Sequence, residues 1–132
     1  MAYRKPLLYT AGDLSQQVPV GDRLLIPVLN LGPFGAALTP VANTLTVSST
    51  VHPVTSNNST VANRRIHTVL GGQISDILIL KGAVGSLSIP FLDNTGNLRI
   101  AGAFTISNPN DLIVLLYDGT NWIEVTRSAN GS

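Results

Sequence analysis

The chain is 132 residues long, with a formal net charge of +1, 44% hydrophobic residues and only 11% charged residues. The length suits one domain with its own core, and a near-neutral charge without a basic patch argues against nucleic acid. The absence of cysteine excludes disulfides and thiolate chemistry, and no apolar run reaches the roughly 18 residues of a membrane-spanning helix. Because typical domains carry about 25% charged residues, we expect much of this chain to face other protein.

Residues 1–30 are interpreted as an extended N-terminal attachment arm. Three prolines and two glycines interrupt this segment too often for a helix. Its two strand-like pieces, Leu7-Leu8-Tyr9 and Leu24-Leu25-Ile26, are apolar but have little nearby to pack against. We therefore expect the arm to lie along a neighbouring subunit or a partner surface.

Residues 31–63 are interpreted as a bridge of loops and short strands, rich in valine, threonine, serine and asparagine. His52 stands beside Pro53 with no second metal ligand near it in sequence, so we interpret it as a loop histidine rather than a metal ligand. Over residues 64–132, strand-like runs alternate with turn signals about every 8–12 residues. This pattern predicts an all-β chain with a β-sandwich or jelly-roll-like domain, and no helix.

The hairpin over Leu112–Ser128 organises this domain. Asp118-Gly119 forms its turn, which is a strong hairpin signal between two strand-like runs. The first strand is apolar at every position, whereas a sheet with one face in water would alternate. We therefore expect one face to close the core and the other to meet a second subunit. The residues predicted to form contacts between subunits are Leu78, Leu80, Ile113, Leu115, Tyr117 and Trp122.

Trp122 is the only tryptophan, and two interpretations of it are open. Its ring could be a platform on which a sugar stacks, or a hairpin aromatic that packs against the next subunit. A single aromatic residue without flanking aromatics is weak support for sugar binding. We therefore favour packing between subunits.

No combination of residues predicts catalysis, a cofactor or a metal. His52 and His67 are separated by a Ser/Asn tract, and no nucleophile elbow occurs. The glycine pairs lack the Lys-Ser/Thr of a phosphate loop, and no EF-hand spacing is present. Three aspartates stand beside Gly, Asn or Pro, where aspartate caps turns: Asp93, Asp111 and Asp118. We therefore expect that the chain is not an enzyme.

Two parts of the chain carry residue patterns that occur together in known proteins. Lys5-Pro6-Leu7-Leu8, followed by Val20-Gly21-Asp22-Arg23-Leu24, is similar to the opening of many structural proteins of tailed phages. The stretch from Gly96 to Ser128 resembles the C-terminal β-domain ending of phage head-decoration, fibre and tail-spike proteins, with an apolar strand, Tyr-Asp-Gly, Trp, a carboxylate and Arg-Ser. Gly71-Gly72-Gln73-Ile74 fits the Gly-Gly element that often precedes that ending.

The resemblance implies a homotrimeric, β-rich component of a phage virion. A short arm and one β-domain, without heptads or repeats, suit a capsid cement (decoration) protein that binds the major capsid protein on the outer capsid surface and stabilises the shell. The alternative is a trimeric tail-fibre or tail-spike knob module that recognises host-surface glycan. Neither role implies nucleic acid or a membrane as a partner. The arm residues expected to bind the capsid are Lys5, Pro6, Leu7, Leu8, Tyr9, Leu24, Leu25 and Ile26.

Overall fold

The computed structural model describes residues 29–131. Contacts along the chain divide it into two units, Met1–Asn30 and Leu31–Ser132. The residues predicted to bind the capsid lie outside the described residues; they are Lys5, Pro6, Leu7, Leu8, Tyr9, Leu24, Leu25 and Ile26.

Strands make up nearly all the regular structure of the described residues, which confirms the prediction of an all-β chain. Between residues 29 and 131 the helical structure is a single turn, α1 (Val61–Arg64). The strands are β1 (Thr44–Thr46), β2 (Val51–Val54), β3 (Thr68–Leu70), β4 (Ile77–Gly82), β5 (Ile89–Phe91), β6 (Leu98–Arg99), β7 (Phe104–Ile106), β8 (Leu112–Tyr117) and β9 (Trp122–Ser128).

The turn α1 depends on a residue far along the chain. Its own sequence predicts no helix, because it has no helical period. The side-chain amide of Asn43 donates hydrogen bonds to the carbonyls of Ala62 and Arg65, at 2.7 and 2.9 Å. Asn43 itself has a positive φ of 63°, which asparagine tolerates better than most residues. A tertiary contact therefore fixes this turn, and local propensity does not.

The strands form one large sheet and two small ones. The large sheet has the order β2-β4-β8-β9-β6, with β2–β4 and β6–β9 parallel and the two central pairs antiparallel. The small sheets are the parallel pair β1–β3 and the antiparallel pair β5–β7. Residues 31–63, predicted as a bridge, supply β1 and β2. These strands pair with β3 and β4, so the bridge and the residues after it belong to one unit.

The core lies against one face of the large sheet, called the inner face here. On this face Leu78 pairs with Leu115 and Leu80 pairs with Ile113 across β4 and β8. Both small sheets contribute side chains to the same cluster. Its buried members are Leu45, Val47, Val54, Ile66, Val69, Leu78, Leu80, Ile89, Phe91, Leu98, Ile100, Phe104, Ile106, Ile113, Leu115 and Trp122.

Asn97 ties the β1–β3 sheet to the large sheet. Its side-chain amide donates to the carbonyl of Val69 at 2.7 Å, and its side-chain oxygen accepts from the amide of Val69 at 2.8 Å. Its own carbonyl accepts from the amide of Trp122 at 2.8 Å. The side chain thus satisfies the backbone groups of β3 that a further strand would otherwise pair.

Candidate functional site

The two faces of β4 and β8 are both mainly apolar but differ in burial. Leu80, Ile113 and Leu115 on the inner face are fully buried within one chain. On the opposite face, Ile77 pairs with Leu116 and Ile79 pairs with Val114. The next strand continues this row, because Ile123 of β9 pairs with Leu116. We call this surface the outer sheet face, and define it by Ile77, Ile79, Val114, Leu116 and Ile123.

The outer sheet face is partly open to solvent. Ile77 is 42% exposed and Ile123 is 41% exposed, and the other three residues are half-buried. Single exposed apolar residues are ordinary, whereas a contiguous row of them marks an interaction surface. At one end of the sheet the ammonium of Lys81 lies 5.8 Å from the ring centre of Phe34, which is 61% exposed. The apolar side chains of the outer sheet face suit association with another apolar surface.

This geometry corrects the predicted subunit contacts. Five of the six residues lie in the core of a single chain, each with at most 1% of its surface exposed. A second subunit cannot cover side chains that this chain already covers. The sequence does not say which face of β8 turns inward, because β8 is apolar at every position. The residues that belong to the core, and not to a subunit contact as predicted, are Leu78, Leu80, Ile113, Leu115 and Trp122.

Trp122 is a core residue and fits neither interpretation offered for it. It is 1% exposed, and its indole N–H donates to the carbonyl of Val69 at 3.2 Å. Its ring centre lies 4.8 Å from that of Tyr117, the sixth predicted contact, which is half-buried beside it. Gly72 also packs on the indole, where a β-carbon would collide with the ring. The ring therefore exposes too little surface for a sugar or a second subunit to stack on it.

A β-bulge lies in β9, next to the outer sheet face. The register between β8 and β9 shifts between Val114 and Leu115, which leaves Val125 unpaired and 58% exposed. Beside it Arg127 and Glu124 form a two-pronged ion pair with both N–O distances at 2.6 Å. The hydrogen bond from Arg127 lowers the pKa of Glu124. Both oxygens of the Glu124 carboxylate thus have hydrogen-bond partners within the chain.

The remaining carboxylates near the hairpin are turn caps, as predicted. The carboxylate of Asp118 accepts from the amides of Thr120 and Asn121 at 2.8 and 2.6 Å. Asp111 is buried, and its carboxylate accepts from the amides of Ser107, Asn108 and Gly131. These amide hydrogen bonds, that of Ser107 foremost, lower the pKa of Asp111.

His52 lies inside β2 and is fully buried, which corrects its interpretation as a loop histidine. Its Nε2 accepts hydrogen bonds from the amides of Ser48 and Ser49, both at 3.0 Å. That assignment leaves Nδ1 to donate to the carbonyl of Ala36 at 2.7 Å. Pro53, the basis for the loop interpretation, does not interrupt the strand, because its carbonyl still accepts from the amide of Leu38. Both ring nitrogens therefore form hydrogen bonds with backbone groups.

No group of three or more histidine, aspartate or glutamate side chains in residues 29–131 is placed to hold a metal ion. In the same part of the chain no helix is long and apolar enough to cross a membrane. Comparison with protein-family models gives no match. Neither the curated proteins nor the solved structures contain a match.

Proposed function

We propose that this chain is a structural protein of a tailed-phage virion: a capsid cement (decoration) protein that assembles as a homotrimer and binds the major capsid protein on the outer capsid surface. The observation that carries the proposal is the outer sheet face, an apolar row across three adjacent strands that the described residues leave partly open. The resemblance of the N-terminal Lys-Pro-Leu segment and the C-terminal hairpin to phage structural proteins supports the virion assignment.

The physical basis of assembly is burial of apolar surface. Each square ångström of apolar area removed from water contributes about 25 cal/mol, and sparse charge lowers the desolvation cost of bringing surfaces together. Ile77, Leu116 and Ile123 form one continuous row across three strands, so a neighbouring subunit can cover all three at once. In this proposal the outer sheet face forms the contact between subunits, while the inner face stabilises each subunit.

The sandwich architecture belongs to the same proposal. The large sheet supplies one layer, and the β1–β3 and β5–β7 sheets form the second layer across the core that all three share. Each subunit would then be a complete two-layer unit. Assembly would add an interface to a folded subunit and would not complete an unfinished core.

Self-association is tested by sedimentation of the purified chain and of two matched leucine variants. Leu116→Asp places a charge on the outer sheet face, whereas Leu70→Asp places it at a 51% exposed leucine of β3 outside that face. We expect the wild type and Leu70→Asp to sediment as trimers and Leu116→Asp as a folded monomer. A monomeric wild type, or an unchanged trimer in Leu116→Asp, contradicts the proposal.

Attachment to the capsid is tested separately, by adding the protein to capsids that lack it. A chain without residues 1–30 should keep its trimer but lose capsid binding, and normal decoration by this truncated chain would refute the role of the arm. The number of copies per virion separates the two virion roles. Many copies agree with a cement protein, and a few copies would instead identify the tail knob module.

A further inference from the structure

A groove of about 420 Å³ lies between two loops at one end of the large sheet. One wall is the turn Ser48–Thr50, between β1 and β2. The opposite wall is the loop Gln73–Asp76, which leads into β4. Leu31 and Ile77 line it as the exposed apolar residues. We call this feature the polar groove; its volume falls within the roughly 300–1,000 Å³ of small-molecule sites.

The first wall is held by a buried side chain. The imidazole of His52, fully buried, accepts the amides of Ser48 and Ser49 at 3.0 Å each. Its other nitrogen is tied to the carbonyl of Ala36 at 2.7 Å, so the ring is fixed at both ends. A buried imidazole that orients an exposed Ser-Ser-Thr turn gives this wall a defined shape in the absence of a ligand.

The second wall is held as firmly. The carboxylate of Asp76 accepts from the backbone amide of Gln73 at 2.8 Å. The amide of Ser75 donates to the carbonyl of Tyr117 at 2.8 Å, and the amide of Tyr117 donates to the carbonyl of Asp76 at 2.9 Å. Ser75 has a positive φ of 74°, which is a strained conformation for a residue with a β-carbon. Such strain persists only where the surroundings impose it, and it concentrates at binding sites.

The side chains that line the two walls have hydrogen-bonding capacity to spare. Within residues 29–131, the hydroxyls of Ser48, Ser49, Thr50 and Ser75 and the amide of Gln73 form no hydrogen bond with the protein. One carboxylate oxygen of Asp76, Oδ1, is also without a partner among these residues. Among the described residues that line the groove, Asp76 is the only charged one.

We propose that the polar groove binds a neutral, polyhydroxylated ligand the size of one hexose unit. Hydroxyls and a carboxamide can each donate to and accept from sugar hydroxyls, and a carboxylate accepts from two neighbouring hydroxyls of a ring. Leu31, which lies outside the outer sheet face, offers apolar contact to the C–H face of the ring. The single carboxylate disfavours an anionic sugar. This inference goes beyond the capsid role: the groove shares Ile77 with the outer sheet face, whereas the polar side chains of its two walls lie outside that face.

The first experiment is amide chemical-shift mapping of the full chain titrated with single sugars. The probes are glucose, galactose and N-acetylglucosamine as neutral hexoses, and N-acetylneuraminic acid as an anionic one. We expect saturable, millimolar binding of at least one neutral sugar, with the shifts confined to Ser48–Thr50 and Gln73–Asp76. Absence of saturable shifts with all three neutral sugars overturns the proposal. Saturable shifts that map to another surface, or tighter binding of the anionic sugar, also overturn it.

The second experiment uses variants that keep the walls in place. Asp76→Asn retains a side-chain oxygen for the Gln73 amide but loses the charge, and Gln73→Ala retains that amide while removing the carboxamide. Both should weaken sugar binding by about tenfold, which is about 1.4 kcal/mol. Asn57→Ala removes an exposed amide outside the groove and should bind as the wild type does. Equal affinity in all three variants contradicts the assignment of the groove.

Discussion

The two faces of β8 contain the same kind of residue but differ in how far they are buried within the single chain. Ile113 and Leu115 have no exposed surface, whereas Val114 and Leu116, the residues between and after them, remain half-buried in the single chain. The first pair belongs to the buried core cluster together with side chains of both small sheets, and the second pair is not part of that cluster. An apolar strand without alternation therefore predicts that both of its faces are covered. It does not show which of them the chain supplies itself.

The largest expected effect comes from placing a charge on each face in turn. Leu115→Asp buries an unpaired carboxylate in the core, which should cost several kcal/mol of the roughly 5–15 kcal/mol that stabilises a domain. Leu116→Asp, one residue later on the outer sheet face, should reduce the unfolding free energy by about 1 kcal/mol. Urea denaturation of dilute protein measures both. Equal losses would show that the two faces are not distinct.

The next effect comes from truncating neighbours on β9 that lie on opposite faces. Trp122→Ala removes the largest core side chain and should cost about 3–5 kcal/mol. Ile123→Ala, on the outer sheet face, should cost about 1 kcal/mol or less and act mainly on self-association. Trp122→Phe separates packing from hydrogen bonding, because it keeps a ring but loses the N–H to Val69. A small loss in Trp122→Ala would contradict the assignment of the indole to the core.

A smaller effect is expected from the two histidines, which differ in burial as the two faces do. His52→Ala leaves the amides of Ser48 and Ser49 without their acceptor and should cost about 2–3 kcal/mol. His67 is half-buried, and its ring contacts the hydroxyl of Thr68 at 2.9 Å. His67→Ala should therefore cost within about 0.5–1 kcal/mol in the same denaturation experiment. Comparable losses would show that the buried imidazole does not hold its turn.

Sequence patterns locate the strands well because their signals are local. The hairpin strands Leu112–Tyr117 and Trp122–Ser128 follow from apolar runs on either side of an Asp-Gly turn. The pairing of strands is harder to predict, since the parallel pair β2–β4 joins segments that are separated in the chain by two other elements. No residue near β2 specifies that pairing. The sequence therefore predicts where strands are better than it predicts which strands meet.

The candidate sites show the same limit. The sequence predicts that β8 needs cover on both faces, but five of the six residues predicted as subunit contacts lie in the core of the single chain. The polar groove left no signal of its own, because Ser48–Thr50 and Gln73–Asp76 lie far apart in sequence and each is an ordinary polar turn by composition. Only the fold brings them together. His52, which holds one of the walls, looked like a loop residue beside a proline.

The smallest expected effect is a loss of folding stability at low pH. Assembly should change with pH only because the fraction of folded chains changes. Asp111 stands where β8 begins, and its carboxylate joins this point to Gly131 near the end of the described chain. The amide hydrogen bonds hold its pKa below the value of about 3.9 for an unfolded aspartate. The folded chain therefore keeps this contribution above about pH 4 and loses it as pH falls through the lowered pKa.

Denaturation midpoints between neutral pH and about pH 3 measure this contribution in the wild type and in Asp111→Asn. The variant should be less stable at neutral pH, because an amide replaces a carboxylate that accepts from three backbone amides. It should also lose less stability than the wild type on acidification. Some dependence of stability on pH should remain in the variant, because the pKa values of Glu124 and Asp118 are lowered too. Trimer content at each pH should follow the folded fraction, since the outer sheet face has no titratable side chain. Dissociation of folded protein in acid would place a titratable group at the interface and would move the assembly surface away from this face.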